Sequence, residues 1–278
     1  MTSGTIAMGA SRLHYVDGGS GSPVIVLHGF TGSVATMGAI IERLASRHRV
    51  VGVDLVGHGQ SSVPASRAEC TMDVAVRGLD HVIGRLGLAP VHLVAYSMGG
   101  RVALSYAVAH PTKVASITAI GASAGIADAG ERADRVEADG ALADRIEREG
   151  IEWFVDYWTA LPILQPASSQ GIETSTRIRS QRLQNDPASF SLVLRGLGTG
   201  SMPPLHGKLG GLVLPVLLIA GEADSRYRAI AAELAGSIPG ARVVVVASAG
   251  HAVHLDNPDG LAAVVLPFLQ TLDAEARR

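Results

Sequence analysis

Ser97 stands in the run Ala95-Tyr96-Ser97-Met98-Gly99-Gly100, between the apolar stretch Val91-His92-Leu93-Val94 and a helix-periodic stretch from Arg101 to Ala109. Small residues where a strand meets a helix allow a corner so tight that the serine oxygen is pushed out at the end of the sheet, a nucleophile elbow. Unused backbone N–H groups at the helix start face the same point. A serine hydroxyl is hardly ionised near neutral pH, so this chemistry needs an imidazole to take the proton and a carboxylate to orient the imidazole.

Ten histidines are available. Ala249-Gly250-His251 follows the apolar run Val243 to Ala247, which places His251 at the carboxyl end of a strand, where open α/β sheets meet their ligands. His254 is the second candidate. Gly221-Glu222-Ala223-Asp224 follows the run Val213 to Ala220 in the same way and offers two acids, Glu222 and Asp224, with Asp256 a third candidate behind His251. Charge developing on a substrate oxygen needs preorganised donors. The run Val24 to Leu27 ends in His28-Gly29-Phe30-Thr31-Gly32, and the backbone N–H groups of Phe30 and Met98 are assigned as those donors. His28 is read as ordering its loop, and His58, in the turn Asp54 to Ser61, as scaffold.

The elements that must position these groups alternate along the chain. Apolar, β-branched runs at Val24–Leu27, Val50–Val53, Val91–Val94, Val114–Ile120, Val213–Ala220 and Val243–Ala247 suit strands buried on both faces of a parallel sheet. Helical patterns lie between them at Ala39–Ser46, Cys70–Leu86, Arg101–Ala109 and Tyr227–Ser237. This βαβ order predicts a doubly wound, mostly parallel α/β sheet. Residues 125–200 break the rhythm: the segment is charge-rich and helical in pattern, carries Trp153 and Trp158, and is expected to form a helical cap inserted into a core made of residues 1–124 and 201–278.

Composition narrows the function. The 278 residues, 47% hydrophobic and 17% charged, are enough to bury a large core. A net charge of −2 recommends neither nucleic acid nor an anionic membrane as partner. A single cysteine, Cys70, excludes an internal disulfide and a cysteine-based metal cluster. No metal or organic cofactor is expected, because no histidine or cysteine spacing offers a ligand set. The amino-terminal residues lack the basic and apolar regions of a signal peptide, and no apolar run nears a membrane span, so the expected location is cytoplasmic. The partner expected is a small molecule, and composition leaves the oligomeric state open.

Arg101 is the residue hardest to explain as scaffold. It falls in the first turn of the helix after Ser97, where the macrodipole disfavours a cation by about 0.3 to 1 kcal/mol. Four residues past Ser97, it lies on nearly the same helix face and can reach a substrate carboxylate; the alternative is a salt bridge to the cap. Most other cap arginines are expected to be solvated or paired, since acids outnumber them there.

These residues resemble a known family. The elbow, the His28-Gly29-Phe30 loop and the order Ser97, acid, His251 resemble the α/β-hydrolase superfamily over nearly the whole chain. Within it, Tyr96-Ser97-Met98-Gly99-Gly100-Arg101, Glu131-Arg132-Ala133-Asp134-Arg135, Arg182-Leu183-Gln184-Asn185, Leu194 to Gly200 and Gly221 to Tyr227 resemble 2-succinyl-6-hydroxy-2,4-cyclohexadiene-1-carboxylate synthase, a lyase of menaquinone and phylloquinone biosynthesis. The resemblance selects Asp224 as the triad acid. It implies a polycarboxylate substrate bearing an enolpyruvyl group, from which pyruvate is eliminated with Ser97 as general base. It further implies that Arg101, Arg135 and Arg182 hold carboxylates, with Trp158 lining the cap side and Tyr96 flanking the serine.

Three positions depart from the family pattern: Ala95 replaces the first glycine of the elbow motif, Val56 a proline, and Met37 a tryptophan, the last expected to reshape the pocket. Two rival functions follow from the same residues. A serine hydrolase cleaving an ester or a vinylogous C–C bond would use the same triad but has no need of Arg101. A non-catalytic binding module would not need all three triad members.

Overall fold

Runs of Val, Ile and Leu without polar interruption suit strands covered on both faces, and helices supply that cover for the central strands of the sheet. The computed structural model describes residues 1–9, 11–165 and 172–278; residues 166–171 of the expected cap lie outside the described residues. The strands are β1 (Thr2–Met8), β2 (Ser11–Gly18), β3 (Pro23–Leu27), β4 (Arg49–Val53), β5 (Val91–Tyr96), β6 (Val114–Ile120), β7 (Val216–Gly221) and β8 (Arg242–Val246). They make one sheet in the order β1-β2-β4-β3-β5-β6-β7-β8. The hairpin β1–β2 joins β4 antiparallel, and every other pairing is parallel.

The helices are α1 (Gly38–Ala45), α2 (Met72–Leu86), α3 (Met98–Ala109), α4 (Ala129–Ala160), α5 (Ile172–Leu183), α6 (Pro187–Leu197), α7 (Ser225–Ser237), α8 (Val253–Asp256) and α9 (Pro258–Ala276). Apolar side chains of α2 and α3, among them Leu79, Val82, Val102 and Tyr106, pack on one sheet face, and those of α1 and α9, among them Ile40, Leu44, Val265 and Leu269, on the other. Helices α4 to α6 come between β6 and β7 and carry a small core of their own, Ala143, Ile146, Phe154, Phe190 and Leu194. Helix α4 is broken at Gly150, whose φ of +85° only glycine adopts without strain.

Several boundaries differ from the sequence reading. The fifth expected strand begins at Val216, not Val213: Pro215 has no N–H for a sheet ladder, and Val213 is 86% exposed. The hairpin β1–β2 was not expected, because its residues are mostly exposed or half-buried and lack an apolar run. Helix α3 starts at Met98, three residues before the apolar periodicity, since the glycines of the elbow are themselves helical. Among the described residues no helix is long and apolar enough to cross a membrane.

Candidate active site

Strand β5 ends at Tyr96 and helix α3 begins at Met98, so a single residue turns the corner. That residue, Ser97, has φ +50° and ψ −109°, a left-handed conformation costly for a side chain. The neighbours leave no room for a gentler turn. A Cβ on Gly100 would come within 2.5 Å of the Ala122 Cβ, and one on Gly29 within 2.7 Å of the Tyr96 ring. Ala95 is fully buried without breaking this corner, so the methyl group that departs from the family pattern is accommodated.

The ends of β5, β7 and β8 bring three distant residues together. Ser97 Oγ lies 3.2 Å from His251 Nε2, and His251 Nδ1 lies 2.7 Å from Asp224 Oδ2. Asp224 is also the N-cap of α7, its Oδ1 accepting the Tyr227 N–H at 3.1 Å. The other candidates have different partners. Glu222 accepts the Ser248 N–H at 3.1 Å in an exposed turn, and Asp256 accepts the Gly250 N–H at 2.7 Å. His254 is buried against Tyr96, ring centroids 4.3 Å apart, and burial pushes its pKa down to about 3.

Phe30 and Met98 both line the cavity beside Ser97. Met98 is the first residue of α3, where an N–H has no partner within the helix. The loop carrying Phe30 is fastened from behind. The Gly99 N–H donates to the His28 carbonyl at 3.1 Å. His28 Nδ1 donates to the Gly29 carbonyl at 2.8 Å and its Nε2 accepts the Leu55 N–H at 3.0 Å, which fixes a neutral tautomer that burial favours. His58 accepts the Thr31 N–H at 3.3 Å through Nε2. Asp54 accepts from the N–H groups of Val34 and Gln60 and from His14. His28 and His58 are thus loop supports, and Val56 is core. Met37 is buried beneath the sheet with Ile40 and Leu44 and does not line the cavity, contrary to the expectation that it reshapes the pocket.

The cavity above Ser97, about 490 Å³, is walled by the elbow, the Phe30 loop and helices α4 to α7. All three expected arginines reach it, as do Tyr96 and Trp158. Trp158 meets Phe30 edge-on with centroids 5.2 Å apart. Arg101 is 8% exposed and makes no salt bridge to the described residues of the cap: its Nη1 donates to the Leu197 carbonyl at 2.6 Å, and burial pushes its pKa down to about 10. Arg182 donates to Thr159 Oγ1 at 3.2 Å, and burial lowers its pKa as well. Arg135 differs. Its Nε donates at 2.8 Å to Asp139, a cavity-lining residue that the sequence reading passed over; the spacing of four along one helix was the available signal. Tyr227, whose ring centroid lies 4.4 Å from that of His251, was also unassigned. Among the described residues no cluster of three or more His, Cys, Asp or Glu side chains could hold a metal.

A family model described as the alpha/beta hydrolase fold matches residues 22–258. The chain belongs to the α/β-hydrolase fold family. It is 36% identical over 249 residues to a Bacillus subtilis protein named for 2-succinyl-6-hydroxy-2,4-cyclohexadiene-1-carboxylate synthase activity, 90% of each chain being covered. It is 30% identical to the synthase of that name from Salmonella paratyphi C, over 89% of this chain and 94% of the relative. Among solved structures, MenH from S. aureus superposes with a TM-score of 0.87 at 31% identity, covering 93% of this chain and 98% of the other. An esterase from Thermogutta terrifontis, 24% identical, superposes at 0.84 over 98% of this chain and all of the other, a likeness of fold alone. The α/β-hydrolase fold and the kinship with the synthase family therefore stand as the sequence motifs indicated.

Proposed function

We propose that the protein is an enzyme that eliminates pyruvate from 2-succinyl-5-enolpyruvyl-6-hydroxy-3-cyclohexene-1-carboxylate in menaquinone or phylloquinone biosynthesis. The observation that carries this reading is a pair of guanidiniums beside the triad, Arg101 buried and Arg182 half-buried. Arg101 and Arg182 face the cavity with no carboxylate within ion-pair distance among the described residues. A buried cation costs several kcal/mol unless something compensates it, and a polycarboxylate substrate supplies that compensation. Its carboxylates are gripped best by planar, bidentate donors.

The chemistry follows from the triad. His251, oriented by Asp224, takes the Ser97 proton, and the Ser97 oxygen removes a proton from the ring carbon next to the substrate's succinyl carbonyl. Negative charge moves to that carbonyl oxygen, where the Phe30 and Met98 N–H groups meet it. The charge returns through the ring, a double bond forms, and the C–O bond to the enolpyruvyl group breaks. The departing enol oxygen takes up a proton and tautomerises to pyruvate. Arg101, Arg135 and Arg182 hold the carboxylates, and Trp158 and Tyr96 wall the ring. Every step uses groups of this chain, in the cytoplasm, with no cofactor and no membrane or nucleic acid partner. The three helices α4 to α6 act as the cap over the substrate.

The test is direct. Purified protein given the enolpyruvyl cyclohexene substrate releases pyruvate, and Ser97→Ala lowers that release by several orders of magnitude. Ready turnover of simple aryl esters without pyruvate release would reject the lyase reading in favour of a serine hydrolase.

A further inference from the structure

In the proposed reaction His251 takes the Ser97 proton, and two tyrosine rings lie beside that side chain. The Tyr227 ring lies 4.4 Å from the imidazole, centroid to centroid, at 45°, and the Tyr96 ring 5.3 Å away at 54°. Tyr227 also touches the third triad member, because its backbone N–H donates to Asp224 Oδ1 while Asp224 Oδ2 meets His251 Nδ1. One residue of α7 therefore contacts the carboxylate through its backbone and the imidazole through its ring. Its side chain is only half-buried and lines the cavity, so it is not a core residue held there by packing alone.

We propose that Tyr227 is a positioning residue for the reaction: with Tyr96, its ring keeps the imidazole turned toward Ser97 and stabilises the imidazolium that forms when the serine proton is taken. Aromatic rings carry negative charge over their faces, so a cation forming against two of them is favoured over the neutral ring. An imidazole with two tilted rings this close also loses alternative rotamers, which keeps Nε2 at its 3.2 Å separation from Ser97 Oγ. The proposal rests on Ser97, His251 and Asp224 being the reacting groups, and not on the identity of the substrate.

The other groups around His251 belong to residues that a substitution at Tyr227 leaves unaltered. Asp224 and Ser97 bond its two nitrogens. From α8, His254 contributes a neutral ring whose own proton affinity burial has lowered, with Arg182 of the cap adding to that effect. Asp256 holds the Gly250 N–H just before it. At the end of β6 the backbone approaches so closely that a Cβ on Gly121 would come within 2.9 Å of His251 Cε1. Tyr227→Phe removes the hydroxyl and keeps the ring, so the two can be separated by substitution.

The experiment is an NMR titration of His251 in the full-length protein, its signal assigned by loss in His251→Gln, compared across Tyr227→Leu and Tyr227→Phe. Tyr227→Leu is expected to lower the His251 midpoint by about half a pH unit or more, the size of one lost ring contact. Tyr227→Phe restores the parental midpoint because it keeps the ring. In parallel, kcat for pyruvate release falls about tenfold in Tyr227→Leu with a smaller change in KM, as misplacement of a base predicts. Tyr227→Met, also apolar and non-aromatic, serves if the leucine variant does not fold. An unchanged midpoint in Tyr227→Leu or Tyr227→Met overturns the proposal, as does a fall in Tyr227→Phe equal to that in Tyr227→Leu, or failure of both non-aromatic variants to fold. A midpoint shift in a protein that releases no pyruvate would support the proposal and overturn only the substrate reading.

Discussion

Arg101 Nη1 donates to the carbonyl of Leu197 at 2.6 Å, joining the elbow helix α3 to the last residue of α6. A carbonyl dipole is a weak substitute for a carboxylate, and the guanidinium sits in the first turn of α3, at the unfavourable end of its dipole. Asp139, the acid that acts on it electrostatically, spends one oxygen on Arg135. On the function proposed above, the local cost of Arg101 is the cost of keeping an anion site ready when no anion is bound.

Arg101→Met should therefore separate binding from folding. Loss of one charge-assisted carboxylate contact costs about 1.5 to 3 kcal/mol, so kcat/KM for the polycarboxylate substrate is expected to fall at least tenfold, mostly through KM. Stability in urea should hold or rise, because an apolar side chain of similar length replaces a buried cation without a carboxylate partner. Unaltered kinetics would return Arg101 to a structural role.

Asp139 gives a pH-dependent counterpart. Burial raises its pKa above the ordinary carboxylate value despite the opposing pull of Arg135 and Arg101. The folded protein thus holds this proton to higher pH than the unfolded chain does. Stability from this group rises as pH falls through the folded pKa and levels off below the unfolded one. Asn cannot titrate, so wild type should gain stability relative to Asp139→Asn between neutral pH and about pH 4. Urea midpoints at several pH values measure this, and a constant gap would contradict it. KM should also rise in the variant, since Arg135 loses the charged partner that holds its Nε.

These two residues mark where sequence reading succeeds and stops. Arg101 was legible because a cation at a helix start next to a small-residue corner is locally unfavourable. Most of the parallel strands were legible because burial on both faces leaves unbroken apolar runs; β8 keeps such a run although Val243 and Val245 are 38% and 45% exposed, contrary to the expectation that both its faces are buried. Ser97 and His251 were legible because each follows such a run. Asp224 was harder, since Glu222 follows the same strand and only the family resemblance separated them; in three dimensions Glu222 serves an exposed turn. The hairpin β1–β2 was hidden by its half-exposed, mixed composition. The contacts of Asp139 and Tyr227 depend on how α4 and α7 sit over the sheet, which periodicity does not encode.

Backbone strain at the elbow predicts a trade of stability against activity at Ser97. Its φ of +50° and ψ of −109° are ordinary for glycine and costly for other residues, by about 1 to 3 kcal/mol. Ser97→Gly should abolish pyruvate release and raise the melting temperature, whereas Ser97→Ala should abolish it with little gain, because alanine keeps the Cβ. Equal melting temperatures for the two variants would mean that the corner is unstrained.

His58 acts on the same chemistry from further back. Its Nδ1 donates to the Val56 carbonyl at 3.1 Å, which leaves Nε2 as the acceptor for the Thr31 N–H, and Thr31 itself sits at φ +66° beside Phe30. The ring also packs against Phe30 and Phe190, with centroids 5.8 and 5.4 Å away. Burial pushes its pKa down to about 3, so it stays neutral across the working pH range and its support of the loop does not titrate there. His58→Leu removes the acceptor, leaves a buried N–H unpaired and costs about 1 to 3 kcal/mol of stability. It also frees the Phe30 N–H to drift from the position where charge develops on the substrate oxygen. Weakening one oxyanion donor costs up to about 10² to 10³ in kcat, and this variant should lose a part of that, tenfold or more, with KM nearly unchanged because the arginines stand on α3, α4 and α5. The loss should be the same at pH 6 and pH 9. A loss confined to KM, or one that grows as pH falls, would show that His58 serves substrate binding or proton transfer instead of the oxyanion loop.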